Sequence, residues 1–253
     1  MPDTSNSPLA PLLRKLEYWT SFSDSDREAL LALPYTLKTI EPVGFVVREG
    51  DKPSHSCLLL SGYLYRHKIV ANGARQIVAL HMSGDMVDLQ NSLLGVADHN
   101  VQALTRAEVA YIPREAIREI AFARPAIGMA MWHDTLVDGS VFREWIANVG
   151  RRDARTRLAH VLCEFALRLE AAGLGKHNEW ELPMTQEQLA DATGLTPVHV
   201  NRTLKTLDAD GLIVRNKRSV SVSDWEALAE VGDFESSYLH MPEEKLSLVQ
   251  PHR

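Results

Sequence analysis

Pro113 divides the chain into two stretches with different hydrophobic rhythms. Before it, from Tyr35 onward, apolar, β-branched and aromatic residues come in short runs, and most of the connections between them hold a glycine. The runs predict strands at Tyr35 to Ile40, Phe45 to Val47, Ser56 to Leu60, Tyr63 to Val70, Arg75 to Leu80, Val101 to Leu104 and Glu108 to Ile112. Turns are expected at Glu49-Gly50-Asp51, Ser61-Gly62, Asn72-Gly73 and Ser83-Gly84-Asp85. Asn72-Gly73 is the sharpest hairpin signal, because a tight loop that follows the strand twist needs positive φ. Many short strands with regular turns point to an antiparallel barrel or sandwich. Two short helices should precede it, Pro8 to Trp19 and a second one capped by Ser23 or Ser25 and running to Leu33.

After Pro113 the rhythm becomes helical. Arg114 to Ala123 forms a short helix, and Pro125 opens a long one in its first turn. Along it Met129, Trp132, Leu136, Gly139, Phe142, Ile146 and Val149 recur at steps of three and four, as in a coiled-coil seam. A second stripe, Val137, Val141 and Trp145, lies on an adjoining face. Two apolar faces require two partners. The expectation is the β domain against one and a second copy of the helix against the other, with Met129, Trp132, Leu136, Phe142, Ile146 and Val149 as the dimer interface. Gly150 and the run Arg151-Arg152-Asp153-Ala154-Arg155 should interrupt the seam as a hinge. An amphipathic helix follows from Arg155 to Leu174, closed by Gly173 and Gly175.

Thr185-Gln186-Glu187-Gln188 is a capping box, so a helix should start there, stop at Gly194, and restart at Thr196 with Pro197 in its first turn. Ala190 is small enough for a close crossing, and Leu189, Leu195, Val200, Leu204 and Leu207 supply a shared core. This order is that of a helix-turn-helix. Asp210-Gly211 then turns the chain into Leu212 to Val214, a basic tip Arg215-Asn216-Lys217-Arg218 and a return strand Ser219 to Val222, which reads as a wing. Outside the core of the second helix lie Val198, His199, Asn201, Arg202 and Lys205. Arg and Asn can each make paired hydrogen bonds to base edges in a major groove, so Val198, His199, Asn201 and Arg202 are the expected base readers. Thr185, Thr196, Lys205, Lys217 and Arg218 suit phosphates, which position a protein without reading sequence.

Net charge bears on this expectation. The chain of 253 residues carries −6, which argues against a polyanionic partner, but Thr196 to Arg218 holds five cations against two carboxylates. With 45% hydrophobic and 24% charged residues, and no apolar run near the roughly 20 residues of a membrane helix, a cytoplasmic protein without membrane association is expected. The first residues show no charged and then apolar export signal. Cys57 and Cys163 sit in apolar surroundings without metal-site spacing and read as buried thiols.

The segment "MTQEQLADATGLTPVHVNRTLKTLDADGLI", Met184 to Ile213, closely resembles the recognition segment of the Crp/Fnr family of transcription regulators, including the arginine at Arg202 used on bases. "REGD" around Gly50, "LSGYLYRHK" around Gly62 and "MSGDMV" around Gly84 resemble the glycine spacing of the family's cyclic-nucleotide-binding jelly roll, so the likeness runs from about Leu12 to Leu228. It implies an α+β protein with four parts: a jelly-roll sensor domain with N-terminal helices over 1–124, a dimerisation helix over 125–150, a winged helix-turn-helix over 151–232 and a tail over 233–253. It also implies a homodimer on double-stranded DNA at a roughly palindromic operator, with RNA polymerase as a partner if the protein activates.

The sequence departs from the family where ligands bind. The family's cyclic-AMP pocket uses a Gly-Glu pair for the ribose and an Arg-Ser pair for the phosphate. This chain has Asp88-Leu89 and, opposite the second pair, Ala97-Asp98, which would repel an anion. Asp88, Leu89 and Asp98 are therefore expected to mark a vestigial pocket with no cyclic-nucleotide gating, leaving the effector unknown. The cysteine cluster of the iron–sulfur members is missing, and Asp88 and Gln90 stand where the haem sensor has Cys and His, so no cofactor or metal is expected. His55, His67, His81, His99 and His133 are scattered singly. The alternative is a cupin-like metal-dependent enzyme, which needs converging ligands such as a His-x-His pair that the sequence does not show. No enzyme activity is expected. Asp224 should cap a last helix through Val231, and Phe234, Tyr238, Leu239, Leu246 and Val249 are apolar enough to dock, with disorder the alternative.

Overall fold

The structure, a computed structural model, describes residues 7–242. Two helices come first, α1 (Ala10–Leu16) and α2 (Asp24–Leu31). Ser23 caps α2: its hydroxyl accepts from the Asp26 N–H (3.2 Å), and the Asp26 carboxylate accepts from the Ser23 N–H (3.3 Å). α1 stops short of Trp19 because the Tyr18 and Trp19 N–H groups donate three residues back, to Lys15 and Leu16, which tightens the last turn.

Seven strands follow: β1 (Thr36–Ile40), β2 (Phe45–Val47), β3 (His55–Ser61), β4 (Leu64–Ile69), β5 (Arg75–His81), β6 (Asn100–Ala103) and β7 (Ala107–Pro113). They form two antiparallel sheets in the orders β1-β7-β3 and β2-β6-β4-β5. Strand alternation separates two cores. Cys57, Leu59, Ala107 and Val109 point into the barrel with Leu64, Val87 and Val101, whereas Leu58, Ala110 and Ile112 point the other way, onto Leu12, Leu16, Leu30, Ile117 and Ile127. β3 is buried on both faces through most of its length for this reason. Gly62 makes the β3–β4 turn at φ +80°, and a Cβ there would fall 2.3 Å from the Arg106 carbonyl oxygen.

Helix α3 (Arg114–Ala123) leads into α4 (Pro125–Arg151). The chain divides into two compact units, one of residues up to Lys68 with Leu80–Gly139, the other of Ile69–Ala79 with Ser140 onward. The hairpin tip belongs to the second unit, where Arg75 pairs with Asp191 (2.7 Å). In the first unit the face of α4 that meets the core holds Ile127, Ala130 and Met131. Asp134 on the same helix accepts from Lys15 (3.0 Å), which also reaches Asp85 (2.7 Å). Burial alone would depress the Lys15 ammonium, but these carboxylates and Asp138 outweigh it and hold the lysine charged.

One expectation needs correction. The stripe Val137, Val141 and Trp145 was assigned to the β domain, yet the Trp145 indole N–H donates to Glu164 (2.8 Å) on α5 (Ala154–Ala171). The interruption expected over Gly150 to Arg155 is present, though Gly150 itself still belongs to α4. The break falls at Arg152-Asp153, where the Asp153 carboxylate accepts from the Arg155 and Thr156 N–H groups (2.9 and 3.0 Å) and starts α5.

The second unit continues with β8 (Glu179–Glu181), α6 (Gln186–Thr193), α7 (Pro197–Ala209), β9 (Val214–Asn216), β10 (Ser219–Ser221) and α8 (Trp225–Val231), the last capped by Asp224. Its sheet order is β8-β10-β9. The tail docks as far as it is described. Phe234 and Leu239 are buried, and the Tyr238 hydroxyl donates to Glu164 (2.8 Å) and meets the buried His160 ring (3.1 Å). Leu246 and Val249 lie outside the described residues. Glu164 thus accepts from one side chain on α4 and one from the tail. Tyr238→Phe removes one of these donors to a buried carboxylate, and urea unfolding of the full chain should show a loss of about 1–2 kcal/mol. An unchanged midpoint would mean that the tail contributes no stability through this bond.

Candidate nucleic-acid interface

The helix pair is set by two caps and one glycine. The Thr185 hydroxyl accepts from the Gln188 N–H (3.2 Å), and the Gln188 side chain accepts from the Thr185 N–H (2.8 Å), closing the expected box. α6 ends at Gly194 with φ +64°, where a Cβ would approach Val149 Cγ1 at 3.2 Å. Thr196 then caps α7, its hydroxyl accepting from the His199 N–H (3.2 Å). From α5, Arg157 donates to the Thr193 carbonyl (2.6 Å) and to the Arg152 carbonyl (2.9 Å), tying the end of α6 to the end of α4. The sequence reading missed Arg157, since nothing in local spacing separates it from its basic neighbours.

α7 buries Val200, Thr203, Leu204 and Leu207. At about 100° per residue, the line opposite that stripe passes through Val198, Arg202 and Lys205, and all three are exposed. His199 and Asn201 lie on the two flanks and are half-buried. Asn201 is held in place: its amide nitrogen donates to Gln186 Oε1 (3.0 Å), at the first position of α6. Gln186 with Pro197, Val198, Asn201, Arg202 and Lys205 lines a concavity on this face. Gln186 is a second residue that sequence reasoning missed, because only the crossing of α6 and α7 brings it beside Asn201.

The wing is shorter than its expected form. Arg215 and Asn216 belong to β9, paired with Val220 and Ser219, so the turn consists of Lys217 and Arg218 alone. Lys217 takes φ +56°, an unusual conformation for a residue with a Cβ, and both turn cations are exposed. β10 also pairs with β8, which anchors the wing to the chain before α6. Asp210 is paired with Arg155 of α5 and so offsets little of the basic charge on this side. Caps, core and exposed cations thus present one helix and one hairpin tip with donors suited to a polyanion.

Residues 156–231 match the Crp-like helix-turn-helix domain, and residues 37–124 match the cyclic nucleotide-binding domain. The chain belongs to the Crp/Fnr family of transcriptional regulators. It is 29% identical over 215 residues to the transcriptional activator protein FnrL of Cereibacter sphaeroides, covering 83% of this chain and 86% of that one. Over 196 residues it is 24% identical to the fumarate and nitrate reduction regulatory protein of Escherichia coli, 77% of each chain. Among solved structures, FixK2 of Bradyrhizobium japonicum superposes with a TM-score of 0.73 at 22% identity, covering 79% of this chain and 98% of that one. CooA of Carboxydothermus hydrogenoformans gives 0.64 at 20% identity, covering 87% and 95%. No helix among the described residues is long and apolar enough to cross a membrane.

In the domain of this Crp/Fnr regulator that matches the cyclic nucleotide-binding model, the residues expected to mark a vestigial pocket are engaged with the chain itself. Asp88 is buried, and its carboxylate accepts from the Cys57 N–H (2.6 Å) and from the Asn91 amide (3.4 Å). Leu89 is buried in the apolar layer beneath it. Ala97 is knitted to the Gly50 turn by two backbone bonds, Gly50 N–H to Ala97 O (2.8 Å) and Ala97 N–H to Asp51 O (2.9 Å). The Asp98 carboxylate pairs with the His99 ring (2.6 Å), and its carbonyl accepts from Lys68, which also pairs with Glu49. Arg66 crosses the interior to donate to the Val87 carbonyl and approaches Asp138 at 3.7 Å.

Burial raises the Asp88 carboxyl to about 6, against the opposing pull of the Cys57 N–H and of Arg66. Because this exceeds the value in an unfolded chain, the folded state holds the proton more tightly. Stability therefore falls as pH rises from about 4 to about 6, then levels off. Asp88→Asn keeps an acceptor for the Cys57 N–H but has no charge to bury. Urea unfolding at a series of pH values should show wild type losing stability relative to the variant across that window, by up to about 3 kcal/mol at pH 7. A constant difference at all pH values would contradict this reading of Asp88.

Proposed function

We propose that this regulator binds a roughly palindromic DNA operator as a homodimer, reading bases from the N-terminal half of α7 and holding phosphates with its caps and wing. The observation that supports this most directly is the stripe Val198, Arg202 and Lys205, exposed along the line opposite the buried face of a doubly capped helix. Arg202, with Val198, His199 and Asn201, contacts base edges. Thr185, Thr196, Lys205, Lys217 and Arg218 contact phosphates. We assign sensing to residues 1–124, dimerisation to 125–150 and DNA binding to 151–232. The protein acts in the cytoplasm, and if it activates, as its relative FnrL is named for doing, RNA polymerase is its further partner. Asp88 and Asp98, each committed to neighbours within the chain, support control without cyclic nucleotide.

Arg202→Ala should lose discrimination at one base pair of each half-site, and with it much of the preference for operator over random duplex, in titrations by fluorescence anisotropy. Lys217→Ala or Arg218→Ala should weaken both duplexes alike and reduce the slope of log affinity against log salt by about 1 for each phosphate no longer neutralised. Equal affinity of wild type for operator and random DNA would refute the reading.

The dimer is supported by Met129, Trp132 (60% exposed), Leu136 and Ile146 (73% exposed), which form an apolar stripe along α4 that none of the described residues covers. Phe142 and Val149 are half-buried, and Val149 faces the Gly194 turn of its own chain. A Trp132→Glu, Leu136→Glu double variant should sediment as a folded monomer at concentrations where wild type is a dimer, and lose operator binding. A dimer that survives both charges would place the interface elsewhere.

A further inference from the structure

Arg202 is the polar reader expected of the recognition helix, but the position most directly opposite its core is Val198, and its chemistry is different. Val198 is 80% exposed in the first turn of α7. An isolated exposed valine needs no explanation in general. This one is disfavoured twice over, by the apolar surface it gives to water and by the β-branching that a helix tolerates poorly. It stands outside the core of the helix pair, which is formed by the opposite side of α7. Its neighbours on the same face are committed to polar work: Arg202 one turn further on, Lys205 beyond it, and Asn201 tethered to Gln186 at 3.0 Å.

A DNA major groove offers donors, acceptors and one apolar group, the C5-methyl of thymine. Taking the DNA-binding reading above as its basis, we propose that Val198 is a specificity-determining residue that packs against a thymine methyl, within two base pairs of the base contacted by Arg202. The spacing follows from the helix: four residues rise about 6 Å, and stacked base pairs are about 3.4 Å apart. Asn201 then acts as a positioning residue. Its bond to Gln186 fixes the roll of α7 relative to α6, and so decides which side chain points straight into the groove.

The test uses the full-length dimer. A pool of random duplexes is enriched for binding, and each thymine of the enriched half-site is then replaced, symmetrically and one at a time, by deoxyuridine, which lacks only the methyl group. Wild type should lose about fourfold in affinity per half-site at one thymine, located within two base pairs of the position at which Arg202→Ala loses discrimination. Val198→Ser, at an exposed site where folding is not at stake, should bind the thymine and deoxyuridine duplexes equally. Deoxyuridine tolerated at every position, or an equal loss in wild type and Val198→Ser, overturns the role of Val198 while leaving the DNA-binding reading intact. If no sequence is enriched over random duplex, both fall together.

Discussion

The recognition helix depends for its position on α5, a helix with hardly any solvent face. Residues Leu158 to Leu167 are buried without interruption, together with Leu169 and Ala171. A helix apolar on all sides can serve as a central strut, because every element around it finds a surface to pack on. α6, α7 and α8 all pack on it. Its two buried polar side chains fix the registration that apolar packing leaves open. Glu164 takes donors from Trp145 and Tyr238, and His160 lies between the Gly232 carbonyl and the Tyr238 hydroxyl. Burial depresses the His160 imidazole, so the ring stays neutral and links two tail groups without introducing a charge. Gly232 reinforces the same junction: a Cβ there would come within 2.9 Å of the His160 nitrogen.

The N-terminal β domain follows the opposite logic. Its barrel is small and apolar, but the segment from His81 to Asn100 brings polar side chains into the interior, among them His81, Asp85, Asp88 and Asn91. Buried polar groups are tolerable when they are paired, and several of these pairings close loops. Asp88 caps a backbone N–H of β3, and Asp85 joins Lys15 to the Met82 N–H. Carboxylates that already hold parts of the fold have a structural use of their own.

Much of this was legible in the sequence. The seven strands of the first domain fell where glycine-spaced runs put them, since a short antiparallel strand is bounded by the turns at its ends. The cap at Ser23, one of two serines the sequence offered, the capping box at Thr185, the Asp224 cap and the Gly194 turn were equally local, each resting on residues within a few positions of one another. The long helix was readable because its period persists. Its break falls within the expected Gly150 to Arg155, but the residue that makes it was not legible: Gly150 stays helical, and the Asp153 side chain decides the start of the next helix.

What the tertiary structure alone decided are the pairings between residues far apart in the chain. The partner of Trp145, the tether between Gln186 and Asn201, the reach of Arg157 to the end of α6 and the docking of Tyr238 join segments that no periodicity relates. Local sequence determined which elements form and which face of each is apolar, because helix and strand geometry repeat over a few residues. Which side chain of α7 stands straight out from the protein depends on the roll of that helix about its own axis, which its packing on α5 and α6 and the bond between Asn201 and Gln186 jointly hold.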